Sequence, residues 1–342
     1  EKNSRLVELD LSDNELDPRA ASELSISIAH VKSLRKLDLS NNEISEGVRY
    51  LSEPFKELCS LRTVDLGNNK IRDQDFEHIG ALIRACPSIK SLSLSYNPMG
   101  EDGVLALKHE LGINDSIENL EIEWCEIGSD GCELLGKAIS NNTAIRSINL
   151  QHNNLSGEDL SYFDEFIQNN HLIEQFDVSQ NAIGPIGAQW MYENLKSKTG
   201  IRVLCLAQNE ILDEGVGSVS KLIQENKQIE DVNLSSNGVS LKGLDSLVNS
   251  LSGGQVKRLN LSHNEIGDDE VHALLLLMSQ EWRLEELNLS YNKIGPEKSK
   301  DIAQGITEHK SLIRVDLRGN YMYEPAFNDL KDCGIDLQLQ IN

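Results

Sequence analysis

Residues 34–42 read Leu34-Arg35-Lys36-Leu37-Asp38-Leu39-Ser40-Asn41-Asn42. Their pattern, LxxLxLxxN, recurs along the chain and ends in asparagine at every position except one. The twelve closing positions are Asn14, Asn42, Asn69, Asn97, Cys125, Asn153, Asn181, Asn209, Asn237, Asn264, Asn292 and Asn320. They follow one another at steps of 28 residues, with two steps of 27. A fixed period of this length predicts a repeat architecture.

Each repeat divides into a strand half and a helix half. Around the pattern, apolar and polar residues alternate, which is typical of a short strand with one buried face. Apolar residues then fall ten and fourteen positions after the asparagine, as at Leu107 and Leu111. Pro18, Pro185 and Pro296, four residues past the asparagine, suit a first helical turn. We therefore predict one strand and one helix in every repeat.

The closing asparagine is predicted to be buried. Its amide can hydrogen-bond backbone groups of its own turn and of the neighbouring turn, which a bend would otherwise leave unpaired. Cys125 takes this position once. Since a thiol is a weaker donor of similar size, we predict that Cys125 is a structural variant and not a reactive cysteine.

The units stack into a curve, because a helix is wider than the strand spacing of about 4.8 Å. The 28-residue period, with turns such as Ile127-Gly128-Ser129-Asp130-Gly131, resembles the ribonuclease-inhibitor-like class of leucine-rich repeats. Residues 141–153 are similar to the arrays of intracellular NOD-like receptors and related scaffolds. The resemblance extends from Leu6 to Met322. It implies an α/β leucine-rich-repeat solenoid, a horseshoe of twelve β-α units with a parallel concave sheet and helices on the convex face.

A single domain over residues 1–342 is predicted, with repeats at about 6–322 and a closing segment at about 323–342. In that segment a helix is expected near Phe327 to Asp332. The strand predicted to follow it alternates the apolar residues Ile335, Leu337, Leu339 and Ile341 with polar ones.

Composition narrows the classes of partner. A formal net charge of -23 argues against nucleic acid, whose binding depends on Lys and Arg. The charge would attract a protein with a basic surface; the alternative is that it only keeps the long molecule in solution. No apolar run is long enough to span a membrane. Six cysteines without close pairing favour a cytosolic or nuclear compartment. We expect no metal or cofactor, and a monomer for the isolated domain.

The candidate site lies in two columns of strand residues that face solvent. Half of the central column, between the second and third apolar positions, is carboxylate, and it includes Asp177. The rim column, one residue before the asparagine, carries consecutive rings in repeats four to six. The predicted hot spot for a Lys- or Arg-bearing segment comprises Tyr96, Glu118, Glu121, Glu123, Trp124 and His152. The alternative is that Trp124 folds over the rim as core.

A second, weaker cluster is predicted at His263 and Tyr291, with Tyr321 and Tyr323 just beyond. Asn-x-Ser sequences occur at Asn233, Asn260 and Asn288. These matches arise from the strand consensus itself and are treated as coincidences of the repeat, not as glycosylation sites.

Sequence motifs for catalysis are missing: there is no HExxH, GxSxG, phosphate loop or dinucleotide fingerprint. The leading hypothesis is a non-enzymatic scaffold or sensing module that binds a protein on its concave face. Two alternatives remain open. One is a GTPase-activating protein of the Ran-activator type, because this chain resembles that family of acidic horseshoes with similar repeats. The other is an acidic inhibitor of a basic enzyme.

Overall fold

The computed structural model describes residues 5–251, 255–279, 283–322, 324–330 and 333–339. The chain forms two compact units. Unit 1 comprises Glu1–Leu155 and Asp159–Asp177, and unit 2 comprises Ser156–Glu158 and Val178–Asn342. Within each unit a strand is followed by a helix and then by the next strand. The predicted α/β leucine-rich-repeat solenoid is therefore confirmed as the fold class.

Every described strand is three residues long, and from β2 to β12 its middle residue is buried. In unit 1 the strands are β1 Glu8–Asp10, β2 Lys36–Asp38, β3 Thr63–Asp65, β4 Ser91–Ser93, β5 Asn119–Glu121, β6 Ser147–Asn149 and β7 Gln175–Asp177. In unit 2 they are β8 Val203–Cys205, β9 Asp231–Asn233, β10 Arg258–Asn260, β11 Glu286–Asn288, β12 Arg314–Asp316 and β13 Asp336–Gln338.

Within each unit, neighbouring strands are parallel and in register. Leu37 lies opposite Leu9 and Val64, and Asn260 lies opposite Asn233 and Asn288. Equal positions of successive repeats therefore form straight rows across the sheet. One face of these rows is buried under the helices, and the other face carries the candidate sites.

The helices of unit 1 are α1 Pro18–Ile28, α2 Ser52–Phe55, α3 Phe76–Ala85, α4 Gly100–Ile113, α5 Gly128–Ile139 and α6 Asp164–Asn169. Those of unit 2 are α7 Gly184–Leu195, α8 Leu212–Glu225, α9 Leu241–Leu251, α10 Val271–Ser279, α11 Ser299–Glu308 and α12 Glu324–Leu330. Short 3-10 turns cover Ser45–Tyr50, Asp73–Asp75, Glu158–Phe163 and Pro296–Lys298. α2 is the shortest helix, and Pro54 within it cannot donate a helical hydrogen bond.

Helix starts follow the prolines. α1 begins at Pro18, where the Asp17 carboxylate accepts a hydrogen bond from the backbone N–H of Ala20 at 2.7 Å. Pro185 lies in the first turn of α7, whereas Pro296 begins a 3-10 turn ahead of α11. The prediction of first-turn prolines is confirmed, with that one difference in helix type.

Most of the closing asparagines form a buried ladder. Asn97 is fully buried, and its Oδ1 accepts the backbone N–H groups of Asn69 at 2.9 Å and Ile71 at 3.0 Å. Its Nδ2 donates to the carbonyls of Leu66 and Leu94, both at 2.9 Å. The buried asparagines thus join their own turn to the turns beside it, as predicted. Two positions differ from the prediction of burial: Asn14, in the first repeat, is exposed, and Asn181 is only half-buried.

Cys125 occupies one step of this ladder. Its Sγ lies 3.4 Å from the carbonyl oxygen of Leu94 and 3.4 Å from that of Glu123. Burial raises the pKa of the Cys125 thiol to about 12. Because the thiolate is the nucleophilic form, this side chain is held in an inert state, which agrees with the predicted structural role.

The C-terminal end closes as a strand. β13 pairs in parallel with β12, so that Leu337 lies opposite Val315. The helix expected near Phe327 to Asp332 is α12 Glu324–Leu330 within the described residues. Asp332 and Ile341 lie outside the described residues, and so does Tyr323.

Candidate functional site

The exposed sheet face of unit 1 carries two rows. The central row consists of Asp10, Asp38, Asp65, Ser93, Glu121, Asn149 and Asp177. The rim row consists of Asp13, Asn41, Asn68, Tyr96, Trp124 and His152. Both rows follow directly from the in-register pairing of β1 to β7.

The backbone of the rim row is left-handed throughout, with φ between 50° at Asn68 and 59° at Tyr96. Asparagine and aspartate tolerate this region, whereas bulky side chains rarely adopt it. Strain of this kind costs about 1–3 kcal/mol per residue. Backbone preference therefore explains Asn41 and Asn68 but does not explain Tyr96 and Trp124.

Tyr96, Trp124 and His152 form what we term the aromatic stack. The ring centroids of Tyr96 and Trp124 are 6.1 Å apart with an interplanar angle of 16°. Those of Trp124 and His152 are 3.2 Å apart at 10°. Tyr96 is 49% exposed and Trp124 is 43% exposed. The rings pack on one another and still present their edges to solvent, so Trp124 is not part of the core.

Glu123 fixes the stack to the strand beneath it. The Tyr96 hydroxyl donates to Glu123 Oε1 at 2.7 Å, and Asn149 Nδ2 donates to Glu123 Oε2 at 3.4 Å. The hydrogen bond to Glu123 raises the pKa of Tyr96, because the neutral phenol is the donor. A carboxylate therefore lies beside the rings, as predicted, and both of its oxygens already accept hydrogen bonds.

The central row owes its composition to a local turn. Asp65 Oδ1 accepts the backbone N–H of Gly67 at 2.8 Å, and Asn149 Oδ1 accepts that of Gln151 at 3.0 Å. Aspartate and asparagine perform this task equally well, because each offers a side-chain oxygen two residues before the N–H. At the positions that make this bond either residue type suffices, so the repeat leaves open which charge the second terminal atom carries.

In unit 1 the central row consists mainly of carboxylates, so several negative charges lie close together. Desolvation by the surrounding sheet raises the pKa of Glu121, and the charges of Asp65 and Glu123 raise it further. Desolvation and the charge of Asp38 likewise raise the pKa of Asp65. A hydrogen bond from Ser93, on the strand between Asp65 and Glu121, opposes both shifts. The negative charge of this patch is therefore only partly compensated by the protein itself.

Two predicted residues lie in other surroundings. Glu118 makes ion pairs with Lys90 at 3.0 Å and with Arg146 at 3.8 Å. Asp177 is only 5% exposed, and it accepts a hydrogen bond from Gln151 Nε2 at 3.1 Å. The structure therefore brings together the aromatic stack, Glu121 and Glu123, while Glu118 is paired with the chain's own cations and Asp177 is buried.

The weaker cluster lies in unit 2. The rings of His263 and Tyr291 stack with centroids 4.3 Å apart and an interplanar angle of 9°. Tyr291 lies over Gly319, where a Cβ atom would come within 2.5 Å of the Tyr291 ring. Tyr321 is 63% exposed. His263 and Tyr291 have left-handed backbone, as in unit 1.

Sequence reasoning missed a groove on the sheet face of unit 2. Its volume is about 460 Å³. Its polar lining includes Asp231, Asn233, Arg258, Asn260, Glu286, Asn288, Arg314, Asp316 and Arg318. The available signal was the alternation of acidic and basic residues at the first position of successive strands, which is visible once the repeats are aligned.

The described part of the chain offers no group of three His, Cys, Asp or Glu side chains placed to hold a metal ion. In the same ranges, no helix combines the length and apolar character needed to cross a membrane.

Comparison with known proteins agrees with this geometry. A family model described as "Leucine Rich repeats (2 copies)" matches residues 32–79. A second, "Leucine Rich repeat", matches residues 2–25, 85–108, 141–163, 256–272 and 284–297. No curated protein sequence matches significantly. The crystal structure of an internalin from Listeria monocytogenes is similar, with a TM-score of 0.56 and 18% identity over 98% of this chain and 87% of that one. The repeat matches and the strand-helix order together show that this chain is a leucine-rich-repeat protein.

Proposed function

We propose that the chain is a non-enzymatic protein-interaction scaffold or sensing module, and that unit 1 binds a partner segment bearing Lys or Arg beside apolar side chains. The observation that carries the proposal is the aromatic stack. Two bulky residues occupy left-handed positions where asparagine would be less strained, and nearly half of each side chain remains exposed. Strain retained at an exposed site is typical of functional surfaces.

The arrangement suits the two parts of a basic side chain. The apolar stem of Lys or Arg can lie along the ring edges, while its charged head reaches Glu121 and Glu123. Desolvation raises the pKa of Glu121, and repulsion from Asp65 and Glu123 raises it further; binding a cation would relieve that repulsion. Because the rings already stack on one another, little side-chain freedom is lost on binding.

Two further features support the proposal. The described part of the chain, which includes all six cysteines, contains no disulfide, which favours a cytosolic or nuclear compartment. The carboxylates of the patch must be ionised to attract a cation, so the affinity for a basic segment should fall on acidification. Because the pKa of Glu121 is raised, this fall should begin above the usual titration range of a glutamate. It should also fall with added salt.

The test measures fluorescence anisotropy of a labelled twelve-residue peptide of alternating lysine and leucine. The variant Trp124→Asn, Glu121→Gln removes one ring and one charge while keeping residue types that this backbone accepts. We expect its affinity for the peptide to fall by about tenfold or more, the usual size of a hot-spot effect.

Matched controls separate this site from general acidity. Glu77→Gln removes an exposed carboxylate on α3, and Tyr291→Asn removes a rim ring of unit 2. Both should leave the affinity of the lysine-leucine peptide unchanged. An equal loss in the control variants, or no loss in the Trp124→Asn, Glu121→Gln variant, would show that unit 1 does not bind in the proposed way.

A further inference from the structure

The groove of unit 2 differs from the unit 1 patch in being electrically balanced. Across β9 to β13 the first strand positions are Asp231, Arg258, Glu286, Arg314 and Asp336, with alternating sign. Arg314 lies 3.6 Å from Glu286 and 2.9 Å from Asp336, and Arg258 pairs with Asp231. The groove's charges are therefore matched within the sheet, and a charged ligand gains no uncompensated partner there.

A second row in the groove offers hydrogen-bond donors. Asn233, Asn260 and Asn288 use Oδ1 to accept the backbone N–H two residues later, at 3.1, 3.0 and 3.0 Å respectively. Their Nδ2 groups make no hydrogen bond to the residues that the structure describes, and all three side chains are half-buried. The backbone N–H occupies Oδ1 and so fixes the orientation of each amide. The row therefore offers a ligand its Nδ2 donors, whereas its Oδ1 acceptors are already used.

An aromatic surface borders the same repeats. His263 and Tyr291 follow Asn260 and Asn288 by three residues, and their rings are stacked in parallel, with an interplanar angle of 9°. Tyr291 is 52% exposed, and its ring extends over Gly319. The row of neutral donors in the groove is thus followed, three residues further along the chain, by a pair of stacked rings, which we term the shelf.

The ligand that complements these features is uncharged, rich in acceptors and poor in donors. A proline-rich segment meets all three conditions, since proline keeps its carbonyl and lacks the N–H. In the polyproline II conformation it advances about 9.3 Å per turn of three residues. Two strand spacings, the separation of Asn233 from Asn288 across β10, amount to about 9.6 Å. Carbonyls one turn apart can therefore meet the two outer amides.

We propose that this groove is a second binding site, independent of unit 1, for a proline-rich segment in the polyproline II conformation. The amides of Asn233 and Asn288 donate to its carbonyls, and the shelf of His263 and Tyr291 packs against its rings, as aromatic grooves do in other recognisers of such segments. An acidic segment is disfavoured, because the three arginines of the lining are balanced by three carboxylates.

The test is anisotropy of labelled decaproline with the full chain. We expect saturable binding that falls about tenfold or more in the variant Asn233→Asp, Asn288→Asp. This variant keeps the Oδ1 acceptor of the turn, which Asp10, Asp38 and Asp65 supply in unit 1, and removes the donors. Since decaproline is neutral apart from its ends, the added charge has little direct effect. Tyr291→Asn should also weaken binding by removing the shelf.

Asn249→Asp, on the exposed side of α9, is the control and should bind decaproline as the unchanged chain does. Circular dichroism verifies that each variant is folded. The proposal is overturned if the unchanged chain shows no saturable binding, or if the Asn233→Asp, Asn288→Asp variant binds equally well. Tighter binding of a labelled alternating glutamate-leucine peptide would overturn it too, because it would identify an acidic ligand.

Discussion

Unit 1 and unit 2 have the same backbone on their exposed sheet faces and use it for different chemistry. In both, most residues of the central row supply a side-chain oxygen to a turn, and the rim row must accept left-handed backbone. Unit 1 meets the first demand mainly with carboxylates, and unit 2 meets it mainly with amides. The repeat fixes the role of Oδ1 in these side chains and does not constrain the second terminal atom, which is an oxygen in aspartate and a nitrogen in asparagine.

The interiors of the two units also differ at the asparagine ladder. Unit 1 is interrupted at Cys125, whereas unit 2 keeps asparagine at all six positions from Asn181 to Asn320. At Cys125 the turn has adapted, because the N–H groups of Met99 and Gly100 both donate to the Cys125 carbonyl at 3.0 Å. Ladder variants therefore provide the most sensitive comparison of the units.

The largest effect is expected for Cys125→Asn. The new amide would accept the N–H of Asn97 and donate to the Leu94 carbonyl, so that the free energy of unfolding rises by about 1–2 kcal/mol. The reciprocal change in unit 2, Asn237→Cys, should lower it by at least as much, because Asn237 Oδ1 accepts two backbone N–H groups. Urea unfolding measures both. If Cys125→Asn lowers the midpoint, the adapted turn no longer accommodates asparagine.

His309 in unit 2 should make stability depend on pH. Its Nδ1 accepts the backbone N–H groups of Ser311 at 3.3 Å and Leu312 at 3.1 Å, and Nε2 is buried with no hydrogen-bond partner among the described residues. Burial lowers the pKa of His309. The neutral form is favoured in the folded state, so stability is present above the unfolded pKa of about 6.5 and is lost as pH falls towards the folded value.

Unit 1 supplies the replacement that tests this dependence. Asn142 performs the same task, accepting the N–H groups of Ala144 and Ile145 at 2.9 and 3.1 Å. His309→Asn should therefore reduce the loss of melting temperature between pH 7 and pH 5, whereas His171→Asn, at an exposed histidine, should leave it unchanged. An unaltered pH profile in His309→Asn would assign the dependence to other groups.

Much of the fold could be predicted because its causes are local. The period, the asparagine ladder and the apolar positions of the helices each repeat, so twelve aligned copies reveal them. Pro54 shortens α2, and a proline within one repeat is a local signal of the same kind. The division into two units could not be predicted, because the spacing of the repeats runs through it without a break.

The candidate site was predicted less completely. Aligned columns brought out Tyr96, Trp124 and His152, and the stack they form follows from strands in register. The pairing of Glu118 with Lys90 and Arg146, and the burial of Asp177, depend on side-chain reach across strands. The unit 2 groove was missed because Asn233, Asn260 and Asn288 were interpreted only as consensus, although the consensus accounts for one atom of each amide.

A smaller effect is expected when a carboxylate of unit 1 is replaced by the amide that unit 2 prefers. Asp65→Asn keeps the bond to Gly67 and removes a charge that the fold disfavours, since the pKa of Asp65 is raised. The melting temperature should rise at pH 7, by less than about 2 °C, and should not change at pH 3, where Asp65 is protonated in both states. Asp10→Asn should act oppositely, because Ser12 lowers the pKa of Asp10. A fall with Asp65→Asn would mean that its charge is stabilised.

The smallest change in stability is expected for Trp124→Asn, where two terms cancel. Relief of left-handed strain is worth about 1–3 kcal/mol, and two stacked neighbours contribute about 0.5–1.5 kcal/mol each. Tyr291 has one stacked neighbour, so Tyr291→Asn should yield the more stable protein of the two. Trp124→Ala should be less stable than Trp124→Asn, because alanine tolerates the backbone less well. Thermal unfolding ranks the three variants. A loss above about 2 kcal/mol in Trp124→Asn is the size expected of a core residue, and unit 1 would then lose the exposed anchor on which its proposed function rests.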